Sequence, residues 1–367
     1  MKIRPIEYGD MAALSDFRVR NGDSPLTTQC WVRRWIINKA MSMGDTPLPI
    51  GWVTENEGGD IVGHLGCVAL RYEFRGQSLQ AAAASEWFVE PLFRMHSLQL
   101  LSKYFSQPSV DIFVNSCPTE VAIRAWKVFG GGPVPVLDCE NLLFRIVNYA
   151  EFGRCVWRKK GWPLSGIAGS LLGVVFGFVD SVRGKGLRSE GGEGGLECQE
   201  TIEFNGQFDQ FWDEIRANAN LLRIVRDSKS LQLYFGDFLA TERGWVVVCE
   251  QNGKMAGYAV LVRKDNPDIG LCRVLIADLQ AIGPYREAVM QQLLKHALLG
   301  CRKRNIAVVE LVGFSARKRQ AVAPLLPRSR ILSHPPFIYK TRNATLHEML
   351  KEPEVWDPCI MDGADAL

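Results

Sequence analysis

The sequence predicts an α/β protein that contains two copies of one domain. Its length of 367 residues is enough for two or three domains. The same order of elements (hairpin, strand, helix, strand, helix, strand) occurs twice, and a glycine-rich stretch lies between the two occurrences. We therefore predict an N-terminal domain at 1–149, a connector at 150–200, a C-terminal domain at 201–345 and a tail at 346–367.

In the first copy, two apolar runs around the polar turn Glu57–Asp60 predict a hairpin. The next apolar run is a candidate central strand that ends before Pro91, and helical spacing of apolar residues follows it. The predicted strands are Lys2–Glu7, Ile50–Glu55, Ile61–Tyr72, Leu79–Val89, Ser109–Asn115 and Leu142–Val147. The predicted helices are Trp31–Met43, Leu98–Phe105 and Thr119–Phe129.

The second copy repeats this order, and the Asn252-Gly253 pair is a strong turn signal for its hairpin. The predicted strands are Trp245–Glu250, Met255–Arg263, Gly270–Leu279, Ile306–Val312 and Phe337–Lys340. The predicted helices are Phe208–Asn218, Met290–Cys301 and Ala316–Ala323. Asp278 lies in an apolar strand, where it is either a buried structural acid or a site residue of this copy.

Net charge and the spacing of cysteines and histidines exclude several classes of partner and ligand. A formal net charge of +3 gives no strong field for nucleic acid, so we expect no nucleic-acid partner. The ten cysteines form no Cys-x-x-Cys pair and the five histidines have no metal spacing, so we expect reduced thiols and no metal. The charged start of the chain contains no secretory signal, which predicts a cytoplasmic protein.

The junction between the strand Leu79–Val89 and the following helix predicts an anion site, because free N–H groups and the helix dipole point at a ligand there. Val89, Pro91, Arg94 and Leu101 fall on the frame of a signature that resembles the GNAT superfamily of N-acetyltransferases. Ser97 and Gln99 stand where that family has glycines.

The resemblance implies acetyl-coenzyme A, or another acyl-coenzyme A, as a substrate. It also implies a mixed, mostly antiparallel, twisted sheet flanked by helices in each domain. The residues that it places against the coenzyme are Phe88, Val89, Arg94, Met95, His96, Ser97, Leu98 and Gln99. In the family a tyrosine of the later helix acts as an acid, and Trp126 stands at that position here.

Acyl transfer needs a base for the acceptor and an amide that stabilises the oxyanion. Glu86 or Glu90 is a candidate base if burial raises its pKa, and His96 is another because imidazole titrates near neutral pH. The alternative interpretation is structural: Glu90 is a solvated side chain on a loop, and His96 caps a helix.

The stretch Val225–Phe235 looks like one in tandem GNAT or FemAB-like proteins of bacterial surface-polysaccharide gene sets. That resemblance implies an amino sugar or another glycan precursor as the acceptor. Two further hypotheses stay open: a catalytically silent tandem protein that binds a partner, and a FemAB-like aminoacyl transferase with charged tRNA as donor.

Residues 161–179 carry no charge and are flanked by basic groups. Their length makes them a marginal membrane span, and five glycines and one proline weaken that interpretation. A peripheral segment at the inner face of the membrane and a packed connector between the domains are the other interpretations.

Overall fold

The computed structural model describes residues 1–161, 195–217 and 220–363, so most of the uncharged stretch 161–179 lies outside the described residues. The strands are β1 Lys2–Pro5, β2 Gly51–Glu55, β3 Ile61–Phe74, β4 Gln77–Val89, β5 Ile112–Ser116, β6 Gly132–Pro133, β7 Asn141–Ile146, β8 Leu196–Thr201, β9 Arg223–Ile224, β10 Gly244–Gln251, β11 Lys254–Arg263, β12 Arg273–Ala281, β13 Val308–Leu311, β14 Arg328–Ile331 and β15 Phe337–Thr341. The helices are α1 Met11–Arg20, α2 Thr28–Met41, α3 Ser97–Phe105, α4 Glu120–Val128, α5 Tyr149–Lys159, α6 Gly206–Arg216, α7 Ser228–Ala240, α8 Arg286–Lys303, α9 Ala316–Val322 and α10 Ala344–Met349.

The strands form two mixed sheets flanked by helices, which confirms the predicted fold class. The first sheet has the order β1-β2-β3-β4-β5-β15-β6, with β9 beside β3, and the second has the order β14-β7-β13-β12-β11-β10-β8. Among the described strands, neighbours are antiparallel except in two places, where β4 pairs with β5 and β12 pairs with β13. Each sheet therefore contains one parallel pair near its middle.

The two sheets exchange a strand. β7 pairs with β13 of the second sheet, with Arg145 opposite Val309, and β15 pairs with β5 of the first sheet, with Val114 opposite Tyr339. The strand expected to complete each copy therefore lies in the sheet of the other copy. The apolar residue pattern predicts that β7 and β15 are strands. An apolar strand can pair in either sheet, however, so the pattern does not predict which strands lie beside them.

The local signals explain several element ends. Asn252 and Gly253 both adopt positive φ, +53° and +74°, as the tight turn between β10 and β11 requires. Thr119 begins α4 as an N-cap, because its hydroxyl accepts a hydrogen bond from the backbone N–H of Ala122. Trp126 on the same helix is buried in the core, 1% exposed. No helix in the described part of the chain has the length and apolar character needed to cross a bilayer.

Candidate active site

The central feature of the first sheet is the gap where β4 and β5 separate. The two strands pair only over Ala81–Ala83 and Ile112–Val114. From Ala84 onward, β3 is the only strand of the described residues that lies beside β4. Alternate backbone N–H and C=O groups of Ala84–Val89 therefore face the gap without a strand partner from that part of the chain. Such an open edge can bind the amides and carbonyls of an extended ligand.

A cavity of about 620 Å³ lies at this gap. Its walls come from the α1–α2 loop and α2, from the end of β4, and from the segment between β5 and α4. The lining residues are Arg18, Ser24, Pro25, Leu26, Thr27, Cys30, Arg33, Arg34, Ile37, Val68, Ala84, Ser85, Glu86, Trp87, Asn115, Ser116, Cys117, Pro118, Thr119 and Ala122. This volume falls in the usual range for a small-molecule site.

A β-bulge shapes the floor of the cavity. Ser85 pairs with Gly66 and Phe88 pairs with His64, so two residues of β4 stand opposite one residue of β3. Glu86, the first residue of the bulge, has φ of +47°, which is rare for a residue other than glycine. Strained backbone of this kind occurs often at functional sites, and here it belongs to a residue that lines the cavity.

The Glu86 carboxylate is held by two arginines. Arg18 Nη1 lies 2.5 Å and Arg34 Nη2 lies 2.6 Å from the same oxygen, Oε1. Burial acts to raise the pKa of Glu86, but the charge and hydrogen bond of Arg34, together with Arg18, lower that pKa to about 2. The raised pKa expected for a general base is therefore wrong for this carboxylate, although its catalytic role stays a prediction.

The structure does not bring the other two candidate bases to the cavity. Glu90 Oε1 accepts a hydrogen bond from Arg20 Nη2 at 3.0 Å, outside the lining. His96 Nδ1 lies 3.1 Å from Gln99 Oε1, at the start of α3. Their proposed proton transfer stays a prediction as well.

The predicted coenzyme segment lies beside this gap, at the end of β4. Phe88 and Val89 still pair with β3, and a 3-10 helix, Pro91–His96, leads into α3. The Ser97 hydroxyl donates to the carbonyl oxygen of Arg94 at 2.7 Å, so it is engaged within this turn. No side chain caps the N-terminus of α3, and its first backbone N–H, that of Ser97, donates to the carbonyl oxygen of Arg94 in the preceding turn.

Sequence reasoning missed several residues that the fold brings to the cavity. Arg18 and Arg34 come from neighbouring helices, where an arginine has no pattern that marks it as a site residue. Asn115 lies near the carboxyl end of the parallel strand β5 and Cys117 follows that strand, and ligands of open sheets bind at the carboxyl ends of such strands. Asn115 and Cys117 could therefore have been predicted from their position at the end of β5.

The second parallel pair separates in the same way, but a buried ion pair lies there. β12 and β13 pair only over Arg273–Leu275 and Val308–Glu310. Asp278, farther along β12, is fully buried and lies 2.9 Å from Arg226 Nε. Tyr258 Oη also donates to this carboxylate, at 2.7 Å. Of the two interpretations of Asp278, its contacts therefore support the structural one.

The tail of the chain packs against the same ion pair. Arg226 Nη2 donates to Cys359 Sγ at 3.3 Å, and Lys318 Nζ lies 2.7 Å from an oxygen of Asp357. Gly363 packs directly on Ser116, which lines the cavity of the first copy. The tail thus fills space beside β12 and reaches the wall of the candidate cavity.

This architecture is the fold of acyltransferases related to GCN5-type N-acetyltransferases. Over 92% of the chain, it is similar to N-myristoyltransferase of Saccharomyces cerevisiae with bound myristoyl-CoA (TM-score 0.56, 10% identity, 81% of that chain). Over 93% it is similar to a GCN5-related N-acetyltransferase from Anabaena variabilis (TM-score 0.54, 13% identity, 73% of that chain). The same share matches a probable N-acyltransferase of unknown function from Enterococcus faecalis (TM-score 0.56, 9% identity, 72% of that chain). No family model and no curated protein matches the sequence.

Proposed function

We propose that the chain is an acyl-coenzyme A-dependent N- or O-acyltransferase that acts at the gap between β4 and β5. The observation that carries the proposal is the open edge of β4 beside a cavity that a small molecule can enter. The likeness to acetyl- and myristoyltransferase structures supports the same class of chemistry.

In this proposal the thioester lies along Ala84–Val89. A backbone N–H of the open edge donates to the carbonyl oxygen, where negative charge develops in the transition state. The acceptor nitrogen or oxygen forms a bond to the acyl carbon, the carbon–sulfur bond breaks, and coenzyme A leaves as the thiol after taking up a proton. The acceptor loses one proton in the same reaction, and Glu86, Glu90 and His96 are the candidate groups to receive it.

The pyrophosphate of the coenzyme would lie at the N-terminus of α3. Exposed Arg94 and the positive end of the helix dipole at that N-terminus suit a phosphate group. Met95, Leu98 and Gln99 are exposed on the same segment and would contact the rest of the coenzyme. We further propose a glycan-precursor acceptor, on the sequence resemblance alone. The cysteine pattern supports the proposal of a cytoplasmic location, and the uncharged stretch 161–179 with its basic flank supports placing it at the inner face of the membrane.

A second candidate function is a tandem protein that binds a ligand without turnover. Two observations favour it. The Ser97 hydroxyl already donates a hydrogen bond to the carbonyl oxygen of Arg94. Trp126, which stands at the position of the tyrosine that acts as an acid in the family, is buried. Both candidates share the same cavity, so they differ in turnover and not in the place of binding.

Isothermal titration calorimetry with acetyl-coenzyme A tests the proposal. We expect saturable binding that Arg94→Ala weakens about ten- to hundredfold, because a hydrogen bond to a charged group contributes about 1.5–3 kcal/mol. Arg302→Ala, at an exposed arginine of α8, is the matched control and should bind as the wild type does. Absence of binding at millimolar ligand would refute the proposal, and binding without acyl transfer to any amine would favour the second candidate.

A further inference from the structure

The charged groups of the candidate cavity are unequal in number. Among the residues that the structure describes, its lining contains three arginines, Arg18, Arg33 and Arg34, and one acidic residue, Glu86. Asp23 and Asp237, outside the lining, pair with Arg18 and Arg33, so the three arginines face three carboxylates in all. What the cavity can bind therefore depends on which guanidinium group keeps N–H donors without a partner.

Two of these arginines are engaged elsewhere. Arg33 donates to the carbonyl oxygen of Tyr234 at 2.7 Å and lies 3.4 Å from Asp237, so it links α2 to α7. Arg18 donates to the carbonyl oxygen of Ser24 and lies 2.8 Å from Asp23, besides its contact with Glu86. Few N–H donors of Arg18 and Arg33 therefore remain for a ligand.

Arg34 differs from both. Within the described ranges of the chain, its one hydrogen-bond or ion-pair partner is a single oxygen of Glu86, which Nη2 contacts. A guanidinium group has five N–H donors in a fork that fits a carboxylate with two parallel hydrogen bonds. With 21% of its side chain exposed, Arg34 has donors left for a group that enters the cavity.

We propose that Arg34 is the specificity-determining residue of the acceptor subsite and that the acceptor carries a carboxylate. The inference rests on the proposed transferase function, because the cavity becomes an acceptor subsite only if the acyl donor lies along β4. The two arginines that already converge on Glu86 Oε1 show that this place suits a carboxylate oxygen. An incoming carboxylate would bind the free side of the Arg34 fork.

The test is ligand-observed NMR with two carboxylates, N-acetylglycine and N-benzoylglycine, and with the carboxamide of each. We expect the carboxylates to bind at least tenfold more tightly than the carboxamides. Arg34→Gln should abolish this difference, and Arg34→Lys should retain only part of it, because lysine keeps the charge without the planar fork.

A third variant separates recognition from a structural role of Arg34. Glu86→Gln removes the carboxylate that competes for the same guanidinium groups, so it should tighten carboxylate binding several-fold. Loss of a negative charge alone would also favour an anion, so the gain must disappear when Arg34→Gln is combined with Glu86→Gln; a gain that persists in the double variant would show a merely structural arginine. Equal binding of carboxylates and carboxamides to the wild type, including no binding of either, would overturn the inference, as would an unchanged preference in Arg34→Gln.

Failure of this inference is distinguishable from failure of the proposed function. If acetyl-coenzyme A binds and the carboxylates show no preference, only the subsite assignment is wrong. If the carboxylates bind through Arg34 and acetyl-coenzyme A does not bind, the anion subsite stands and the transferase proposal is refuted.

Discussion

The buried ion pair of the second copy gives the sharpest prediction for stability. Arg226 and Asp278 are both 0% exposed, and Arg226 also contacts the tail through Cys359. Arg226→Met removes the cation and leaves the Asp278 carboxylate with neutral donors only, among them Tyr258 Oη at 2.7 Å and Gln280 Nε2 at 2.8 Å.

The expected magnitude follows from that arrangement. Removal of one partner from a buried ion pair costs about 3–5 kcal/mol, because an uncompensated charge stays in the interior. Folded domains are stable by only about 5–15 kcal/mol, so this loss is a large part of the free energy of unfolding. The double variant Arg226→Met, Asp278→Asn removes both charges and should recover about 2 kcal/mol or more of the loss.

Urea unfolding of the wild type, both single variants and the double variant measures this coupling, with tryptophan fluorescence as the signal. We expect lower midpoints for both single variants and a partial return of the midpoint in the double variant. A midpoint of Arg226→Met equal to that of the wild type would contradict the argument. So would a double variant whose loss equals the sum of the two single losses.

Three further predictions concern other parts of the molecule. Gly363→Val should reduce thermal stability and any binding at the candidate cavity, because its side chain would collide with Ser116; an unchanged melting temperature would show that the tail can move aside. Burial lowers the pKa of His64 from 6.5 to about 4, so the unfolded chain takes up a proton first and stability falls as pH drops from 6.5 to 4. His64→Asn should remove about 3 kcal/mol of that dependence in urea titrations at several pH values, and an unaltered slope would contradict it. Cys198 and Cys249 are opposite each other on β8 and β10, and the neighbouring Cys249 lowers the pKa of the Cys198 thiol, so diamide should form a disulfide that mass spectrometry detects in the wild type and not in Cys198→Ser.

Much of the first sheet could be predicted because its signals are local. The turn residues Glu57–Asp60 and the apolar runs around them specify the β2–β3 hairpin wherever it lies in the fold. The pairing of β7 with β13 has no such signal, since register and neighbours depend on the whole core. Helix α5 was also missed, because its basic residues were interpreted as the flank of the uncharged stretch that follows.

The part of the candidate site that depends on local signals could also be predicted from the sequence. The end of β4 could be found from the run that stops before Pro91. Arg18 and Arg34 could not be found, because their importance arises only when α1 and α2 pack beside the bulge at Glu86. The low pKa of Glu86 is likewise a property of that packing and not of its position in the sequence.

The exchange of β7 and β15 also has a consequence for the growing chain on the ribosome. The edge of β5 has no partner until Phe337–Thr341 has been synthesised, long after Ser116. At about 5–20 residues per second, that edge stays open for on the order of ten to forty seconds. An unpaired apolar strand edge can pair with strands of other chains and cause aggregation. We therefore expect the nascent protein to need chaperone protection during this interval. Separately produced halves would each keep such an edge permanently, and co-expression of both halves should restore solubility.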